Sequence, residues 1–266
     1  MVITKQNGSL EYLTAEGISV PHAFTTRLGG VSTGALSSLN IGTSRGDSRE
    51  NVLKNYEILG KALDFDVHKL VLSRQVHSDI VRRVDASQAG AGLFTEHLPD
   101  CDGLITAAPG LALVIFTADC TPILFHDPVT GAVGAAHAGW RGTASAIAAR
   151  TVEAMEREFG AKPENIRAAI GPNIGQCHFA CDRDVPDAML SAFGEEVRPF
   201  IKARDGKYFP DLKAINAMIL RNAGVTHIDV SDACTVCQCD RFWSHRVTGG
   251  NRGSQGAVIV CREVHP

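Results

Sequence analysis

The sequence lacks the features that mark membrane proteins and nucleic-acid-binding proteins. Its longest apolar run, at residues 111–116, is far shorter than the about 20 residues that a membrane-spanning helix needs. The net charge is −3 with no clustered basic excess, whereas a surface for polyanions needs concentrated positive charge. We therefore expect neither a membrane nor a nucleic acid as a partner.

Signals for export, repetition and domain linkage are also missing. The first residues, MVITKQNGSLEYL, contain no charged segment followed by an apolar one, so we expect no secretory signal and a cytoplasmic location. No internal repeat, low-complexity tract or Pro/Ser-rich linker interrupts the chain, which predicts one domain over residues 1–266. In a reducing compartment the eight cysteines are expected to be thiols or metal ligands rather than disulfides.

Hydrophobic periodicity favours an α+β fold or a mixed sheet. Helical spacing after Ser48, a predicted N-cap, indicates a helix over residues 49–63, and two more are predicted over 144–159 and 211–223. Short apolar runs predict strands at residues 70–76, 80–84, 111–116, 123–125, 132–136, 166–170 and 257–260. Strands follow one another as often as they alternate with helices, which favours α+β over a doubly wound parallel fold.

Three of the predicted strands lead into residues that bind metals. His77 follows the strand at 70–76, Cys120 follows 111–116 after three residues, and His137 follows 132–136. We call these three residues the ligand trio. Rigid strand ends can bring such side chains together, and three protein ligands leave zinc an open position for water or substrate. The alternative is that both histidines are structural and the cysteine is a small hydrophobic residue.

The segment at residues 134–143 indicates a strand, a glycine-bearing turn and the start of a helix. Small residues permit close approach of the backbone, and the free N–H groups at the helix start lie beside Arg141. This pattern predicts an anion site near His137. In the alternative interpretation the glycines only form the turn and Arg141 pairs with a structural carboxylate.

A second group of cysteines has incomplete zinc-ribbon spacing. Its members are Cys177, Cys181, Cys234, Cys237 and Cys239. Cys234 and Cys237 have the CxxC spacing, but a ribbon needs a second CxxC pair, for which Cys177 and Cys181 are a poor substitute. We interpret these residues as mostly structural thiols, and a second metal site stays an open alternative.

Eight motifs, spread in order over most of the chain, carry a resemblance to a known family. They are FTTRLGGVS (24–32), SLNIG (38–42), QVHS (75–78), DGLIT (102–106), TADCTPIL (117–124), AHAGWRGT (136–143), IGP (170–172) and SHR (244–246). In these motifs the chain resembles the multicopper polyphenol oxidase (laccase) domain family, which is also called the purine nucleoside phosphorylase or peptidoglycan-editing factor family.

The resemblance implies a fold, a metal and an activity. The zinc ligands of the family fall on His77, Cys120 and His137, which is the ligand trio. The implied fold is α+β with mixed sheets flanked by helices, distantly like cysteine-hydrolase toxin domains. The implied activities are phosphorolysis of adenosine, inosine and methylthioadenosine and deamination of adenosine. A purine nucleoside and phosphate are thus the expected partners of a monomer or small homo-oligomer.

Three positions depart from the pattern of the family. Cys101 precedes Asp102 where alanine is common, Asn173 replaces a common cysteine, and Val247 replaces a second arginine. Arg252 and Gly253 stand displaced from a later Gly-Arg pair. If the family arginines hold phosphate or ribose, the substrate preference of this chain is expected to differ. The ligand trio is unchanged.

Further polar residues in these motifs are candidates for catalysis and binding. Arg141 is expected to hold the anion, while Asp119 or Asp102 would protonate the departing base or orient a ligand histidine. Arg45 and Arg246 are weaker candidates for contact with the anion, and Asp102 is a further candidate for contact with the substrate.

Three other functions compete with this hypothesis. In an amidase that edits cell-wall precursors, Cys120 would be the nucleophile and His137 the base. A thiolate and two imidazoles can also bind copper, but a multicopper oxidase needs clustered histidines, commonly as His-x-His pairs, and the sequence has none. A zinc-stabilised binding protein is disfavoured because structural zinc normally has four protein ligands.

Overall fold

The computed structural model describes residues 1–263, in which short strands outnumber helices. The strands are β1 (Val2–Asn7), β2 (Leu10–Ala15), β3 (His22–Thr25), β4 (Leu70–Leu72), β5 (Val81–Arg83), β6 (Gly103–Thr106), β7 (Ala112–Thr117), β8 (Thr121–His126), β9 (Val133–Ala138), β10 (Arg167–Ile170), β11 (Ile201–Arg204), β12 (Lys207–Pro210), β13 (His227–Val230) and β14 (Gln255–Val260). The helices are α1 (Arg49–Leu63), α2 (Trp140–Ala144), α3 (Ile147–Phe159), α4 (Asp184–Phe193), α5 (Leu212–Asn222) and α6 (His245–Thr248).

Two six-stranded mixed sheets organise these elements. The first sheet has the order β1-β2-β3-β14-β7-β4, and only β4 and β7 are parallel in it. The second sheet has the order β13-β10-β8-β9-β6-β5, with parallel pairs at its two edges. β11 and β12 form a separate hairpin. The prediction of an α+β fold with mixed sheets is confirmed.

The sheets pack face to face because their central strands are apolar on both sides. On β7, Leu113 belongs to the core between the sheets, whereas Val114 packs with residues of α1. On β8, Leu124 lies in the core between the sheets, whereas Phe125 packs with residues of α3 and α5. Alternate side chains point to opposite faces of a strand. The result is four layers, with one helix outside the first sheet and several outside the second.

The predicted helices are present with altered ends. α1 spans residues 49–63 as predicted, and the hydroxyl of Ser48 accepts a hydrogen bond from the backbone N–H of Asn51. The predicted helix at 144–159 is interrupted at Ala146, which has a left-handed φ of 57°, so α2 and α3 are separate. Among residues 1–263, no helix combines the length and apolar character needed to cross a membrane.

The predicted strands on either side of residues 77–79 do not form one hairpin. They shorten to β4 and β5, which belong to different sheets, so the intervening segment crosses from the first sheet to the second. The strands β1 to β3, β6 and β11 to β13 and the helices α4 and α6 are additions to the predicted set. β1 is mostly exposed, which explains why it carries no apolar signal.

The core between the sheets predicts a large loss of stability on truncation. Leu113 is fully buried on β7, and Leu113→Ala is expected to lower the free energy of unfolding by about 2–5 kcal/mol because it leaves a cavity. Val129→Ala is the control, since Val129 is 64% exposed and should change stability by less than about 0.5 kcal/mol. Urea unfolding measures both, and equal effects would contradict this packing.

Candidate metal-binding and catalytic site

The ligand trio lies where the chain crosses between the sheets. His77 is on the crossing from β4 to β5, and Cys120 is on the short connection from β7 to β8. His137 is the penultimate residue of β9, not the residue after it as predicted. Both crossings reach the same end of the two sheets, which brings residues distant in sequence together.

The donor atoms of the trio are close enough to share one ion. Cys120 Sγ lies 3.9 Å from His77 Nε2. The rings of His77 and His137 meet edge to face with their centroids 4.9 Å apart. One donor atom from each of the three residues lies within 4.8 Å of the others. The arrangement fits a single metal ion.

A buried carboxylate orients two members of the trio. Asp102 is 0% exposed and accepts five hydrogen bonds. Its Oδ1 accepts from the backbone N–H of His77 at 3.1 Å and from His137 Nδ1 at 2.8 Å. Its Oδ2 accepts from the backbone N–H groups of Val76 and Ser78 and from the Ser78 hydroxyl. These bonds hold His77 at its left-handed φ of 62° and leave Nε2 of His137 available as a ligand.

The same contacts set the protonation of the site. Burial raises the pKa of Asp102, but hydrogen bonds from His137 and Ser78 outweigh it and lower the pKa to about 2. Burial likewise raises the pKa of Cys120, yet the neighbouring His137 lowers it to about 6. Burial lowers the pKa of His137, and the charges and hydrogen bonds of Cys120 and Asp102 raise it to about 9. Without a metal, Cys120 and His137 therefore form a thiolate–imidazolium pair at neutral pH.

Gly139 is required by the close approach of the trio to the backbone. A Cβ atom at this position would lie 2.9 Å from Cδ2 of His77 and 3.2 Å from Sγ of Cys120. Any side chain here would push both ligands away. The glycine before α2 thus serves the packing of the site and not only the turn.

The trio opens into a cavity of about 410 Å³, within the about 300–1,000 Å³ typical of small-molecule sites. Phe116 contributes an aromatic surface, and Arg45 and Arg252 contribute positive charge. Arg252 is only 7% exposed, and its Nε has no hydrogen-bond partner. Within residues 1–263 neither Arg45 nor Arg252 forms an ion pair with a carboxylate. The cavity wall is therefore cationic.

Both cavity arginines are held in place. Nε of Arg45 donates to the hydroxyl of Ser254 at 3.2 Å, and one terminal nitrogen of Arg252 donates to the carbonyl of Gly253. Burial, and then the positive charge of Arg45, lower the pKa of Arg252 to about 10, so that it stays charged at neutral pH. Two guanidinium groups without a carboxylate partner are suited to binding an anion.

Asp102 and Asp119 lie outside the residues that line this cavity. Asp102 is fully buried and bonds to Nδ1 of His137, so the structure places it behind the trio and not on the cavity wall. Asp119 accepts from the Thr235 hydroxyl at 2.6 Å and from the backbone N–H of Arg246 at 2.8 Å. Both of its oxygens are therefore engaged.

Arg246 and Arg141 also lie outside the cavity lining. The guanidinium of Arg246 donates to the carbonyls of His178 and Ala180, at 2.9 and 3.2 Å. That of Arg141 is exposed and stacks on Trp140, 4.3 Å from the ring centroid, so this guanidinium is not part of the cavity wall although the start of α2 packs against the trio. The position of Arg252 on the cavity wall was not predicted, because in the sequence this arginine stands out only as a departure from the family pattern.

Comparison with known proteins places the site in a family. A family model described as multi-copper polyphenol oxidoreductase laccase matches residues 21–262. The chain belongs to this family. It is 40% identical over 244 residues to a Geobacillus stearothermophilus protein named purine nucleoside phosphorylase YlmD, covering 90% of this chain and 89% of that protein. It is 41% identical over 251 residues to a Deinococcus radiodurans protein named purine nucleoside phosphorylase, covering 94% and 92%.

Solved structures agree with the family assignment. The chain superposes on the crystal structure of a Bacillus licheniformis hypothetical protein YfiH with a TM-score of 0.90 and 35% identity, covering 97% and 99% of the two chains. The structure of YlmD from Geobacillus stearothermophilus gives a TM-score of 0.87 at 36% identity. The family predicted from the motifs and its α+β fold are both confirmed.

The thiolate–imidazolium pair predicts a pH dependence for the metal-free protein. Thiolate is the nucleophile, and the Cys120 thiolate forms as the pH rises through about 6, compared with about 8.5 for an ordinary cysteine. After chelation of metal, the rate at which iodoacetamide alkylates Cys120 should therefore rise with a midpoint near pH 6. Peptide mapping by mass spectrometry measures this rate residue by residue.

Cys181 and Asp102→Asn provide the controls. Burial and the nearby Asp184 raise the pKa of Cys181 to about 11, so Cys181 should remain largely unreactive at pH 7. Asp102→Asn removes the charge that favours the imidazolium and should move the Cys120 midpoint to higher pH. A Cys120 midpoint near 8.5 in the unsubstituted protein would show that the pair does not form.

Proposed function

We propose that the chain is a zinc-dependent purine nucleoside phosphorylase, a single catalytic domain that works in the cytoplasm on adenosine, inosine and methylthioadenosine. The observation that carries the proposal is the cationic wall beside the ligand trio. Arg252 is buried there with an unpartnered Nε, and Arg45 faces the same space. A buried charge without a partner is costly, and phosphate is an anion that would satisfy both groups. The names of the two relatives support this choice of anion.

The donor set of the trio fits zinc. Two imidazoles and one thiolate face a cavity, one imidazole is held by a buried carboxylate, and the open side leaves room for a further ligand. Copper accepts the same donors, but the sequence offers no His-x-His pairs for a copper cluster. When bound, zinc would supply Lewis-acid chemistry next to the phosphate site.

The residues of the cavity would position the reactants. Arg45 and Arg252 would bind phosphate, and Phe116 would pack against the purine ring. In phosphorolysis a phosphate oxygen forms a bond to C1′ of the ribose while the bond from C1′ to the base nitrogen breaks, and the departing base takes up a proton. Holding both reactants in one orientation removes much of the entropic barrier. We also propose deamination of adenosine as a second activity of the same site, in which water adds to the purine carbon that carries the amino group and that group leaves as ammonia.

Adenosine turnover with and without phosphate tests the proposal. The purified protein is incubated with adenosine, and adenine, inosine and hypoxanthine are separated by chromatography. We expect adenine release that depends on phosphate, because phosphate is the nucleophile, and inosine formed without phosphate would report deamination. Cys120→Ser should abolish both, since it removes a metal ligand. No turnover under either condition would refute the purine assignment.

Substitution of Arg252 tests the anion site. Arg252→Gln should raise the KM for phosphate about 10- to 100-fold, because a charge-assisted hydrogen bond contributes about 1.5–3 kcal/mol. Arg141→Gln is the matched control and should leave that KM within about twofold, since Arg141 points to solvent over Trp140. Initial rates over a series of phosphate concentrations measure both. A larger effect in the Arg141 variant would instead support an anion site at the start of α2.

Amide hydrolysis of cell-wall precursors is the second candidate. It is favoured by the order Asp102, His137, Cys120, in which a carboxylate holds the imidazole beside a thiol of low pKa. The effect of zinc on the alkylation of Cys120 distinguishes the two functions. In a zinc enzyme, zinc should slow alkylation of Cys120 strongly, whereas a cysteine hydrolase should be alkylated equally fast with and without zinc.

A further inference from the structure

Four residues outside the catalytic cavity form a second cluster of metal-binding side chains. Cys177, His178, Cys234 and Cys237, which we call the second cluster, each place one donor atom within 4.8 Å of the others. Sγ of Cys177 lies 3.7 Å from Sγ of Cys237. Nδ1 of His178 lies 3.1, 3.8 and 3.4 Å from the sulfurs of Cys177, Cys234 and Cys237.

These separations match the edges of a tetrahedron around zinc. Bonds of about 2.3 Å to sulfur and about 2.05 Å to nitrogen place two sulfurs about 3.8 Å apart and a sulfur about 3.6 Å from a nitrogen. The sulfur–sulfur distance from Cys177 to Cys237 and two of the three sulfur–nitrogen distances agree with these values within about 0.2 Å. The short distance from His178 to Cys177 needs only a small rotation of an exposed side chain.

The backbone brings the two ligand-bearing loops together independently of any metal. Asn173 and Cys234 form an isolated parallel bridge, in which the N–H of Thr235 donates to the carbonyl of Asn173 at 2.9 Å. The N–H of Gly175 donates to Sγ of Cys234 at 3.2 Å, and a Cβ on Gly175 would lie 3.4 Å from that sulfur. Such N–H donors to ligand sulfur are characteristic of the shell around metal thiolates.

The second cluster contains three of the five cysteines of this region. Cys181 is separate, because its thiol donates to the carbonyl of Tyr208. Cys239 is not among the four residues that converge. Cys177 and the adjacent His178 therefore lie where a zinc ribbon would have its second CxxC pair. Because the fourth ligand is a histidine, cysteine spacing alone did not predict the set.

We propose that the second cluster binds a structural zinc ion through three thiolates and one imidazole. Four protein ligands close the coordination sphere, in contrast to the three of the catalytic site, and a closed set of sulfur and nitrogen donors is typical of structural zinc. Three thiolates and one divalent ion leave one net negative charge. The ammonium of Lys213, which donates to the carbonyl of Ala233 next to Cys234, lies close enough to compensate it.

The proposed ion would lie close to the connection that carries Cys120. Both loops that carry the four ligands donate a hydrogen bond to Asp119, the residue before Cys120. The N–H of Ile174 donates to the Asp119 carbonyl at 2.9 Å, and the hydroxyl of Thr235 donates to its carboxylate at 2.6 Å. A metal that joins the loops thus braces the connection that carries Cys120. This inference does not depend on the substrate of the catalytic site.

Metal content measured on the full chain tests the proposal. Protein prepared with reductant and zinc, then freed of loose metal, should contain two zinc ions per chain by inductively coupled plasma mass spectrometry, one for each group of ligands. Cys237→Ser should contain one, and the matched control Cys239→Ser should contain two. Cys120→Ser should also contain one. Cobalt separates the two single-site variants, because the sulfur-to-cobalt absorption of three thiolates in Cys120→Ser should exceed that of one thiolate in Cys237→Ser.

Other results would overturn the proposal. Cys237→Ser with the zinc content of the unsubstituted protein would show that the cluster binds no metal. A disulfide between Cys177 and Cys237 that zinc and reductant leave in place would assign the cluster to redox chemistry instead. If Cys237→Ser does not fold, the release of zinc is measured instead while a mercurial reagent modifies the thiols of the unsubstituted protein. Release of the second zinc ion together with modification of these three thiols supports the site, and no release refutes it.

Discussion

The buried carboxylate of Asp102 is the constraint on which the site depends. It sits where the crossing from the first sheet to the second meets β9, and its five hydrogen bonds fix the backbone at His77 and the ring of His137 together. A carboxylate without solvent exposure is stable only when its oxygens are satisfied, so the loop and the histidine must adopt this one arrangement. Its negative charge also favours a protonated His137, which in turn favours the Cys120 thiolate. The carboxylate of Asp102 therefore determines both the position and the protonation of the trio.

The two-sheet architecture explains why the cavity combines metal ligands with positive charge. Chain crossings between the sheets carry His77 and Cys120, while the segment before β14 carries Arg252 to the same cavity. The apolar layers on either side keep these crossings rigid. The burial of Arg252 without a carboxylate is costly to the free protein, and the anion that we propose as ligand would offset this cost.

Asp119 connects the ligand trio to the rest of the second sheet. Its backbone and carboxylate are held by the loops around residues 173–178 and 234–237, and the N–H of Arg246 occupies its remaining oxygen. The guanidinium of Arg246 holds the carbonyls of His178 and Ala180 in the same region. Asp119 and Arg246, which the motifs suggested as catalytic or binding groups, thus hold the connection that carries Cys120 in place. A metal in the second cluster would extend this support.

The sequence by itself determined the family, the α+β class and most of the central strands, and it predicted the three residues of the ligand trio. Apolar runs reveal buried strands because their periodicity is local, and motif residues such as those around His137 are recognisable one segment at a time. Only the tertiary structure decided that β4 and β5 belong to different sheets, that Asp102 lies behind the trio, and that Arg252 replaces Arg141 on the cavity wall. It also brought His178 to three cysteines. Each of these depends on contacts between segments far apart in sequence, which no local pattern encodes.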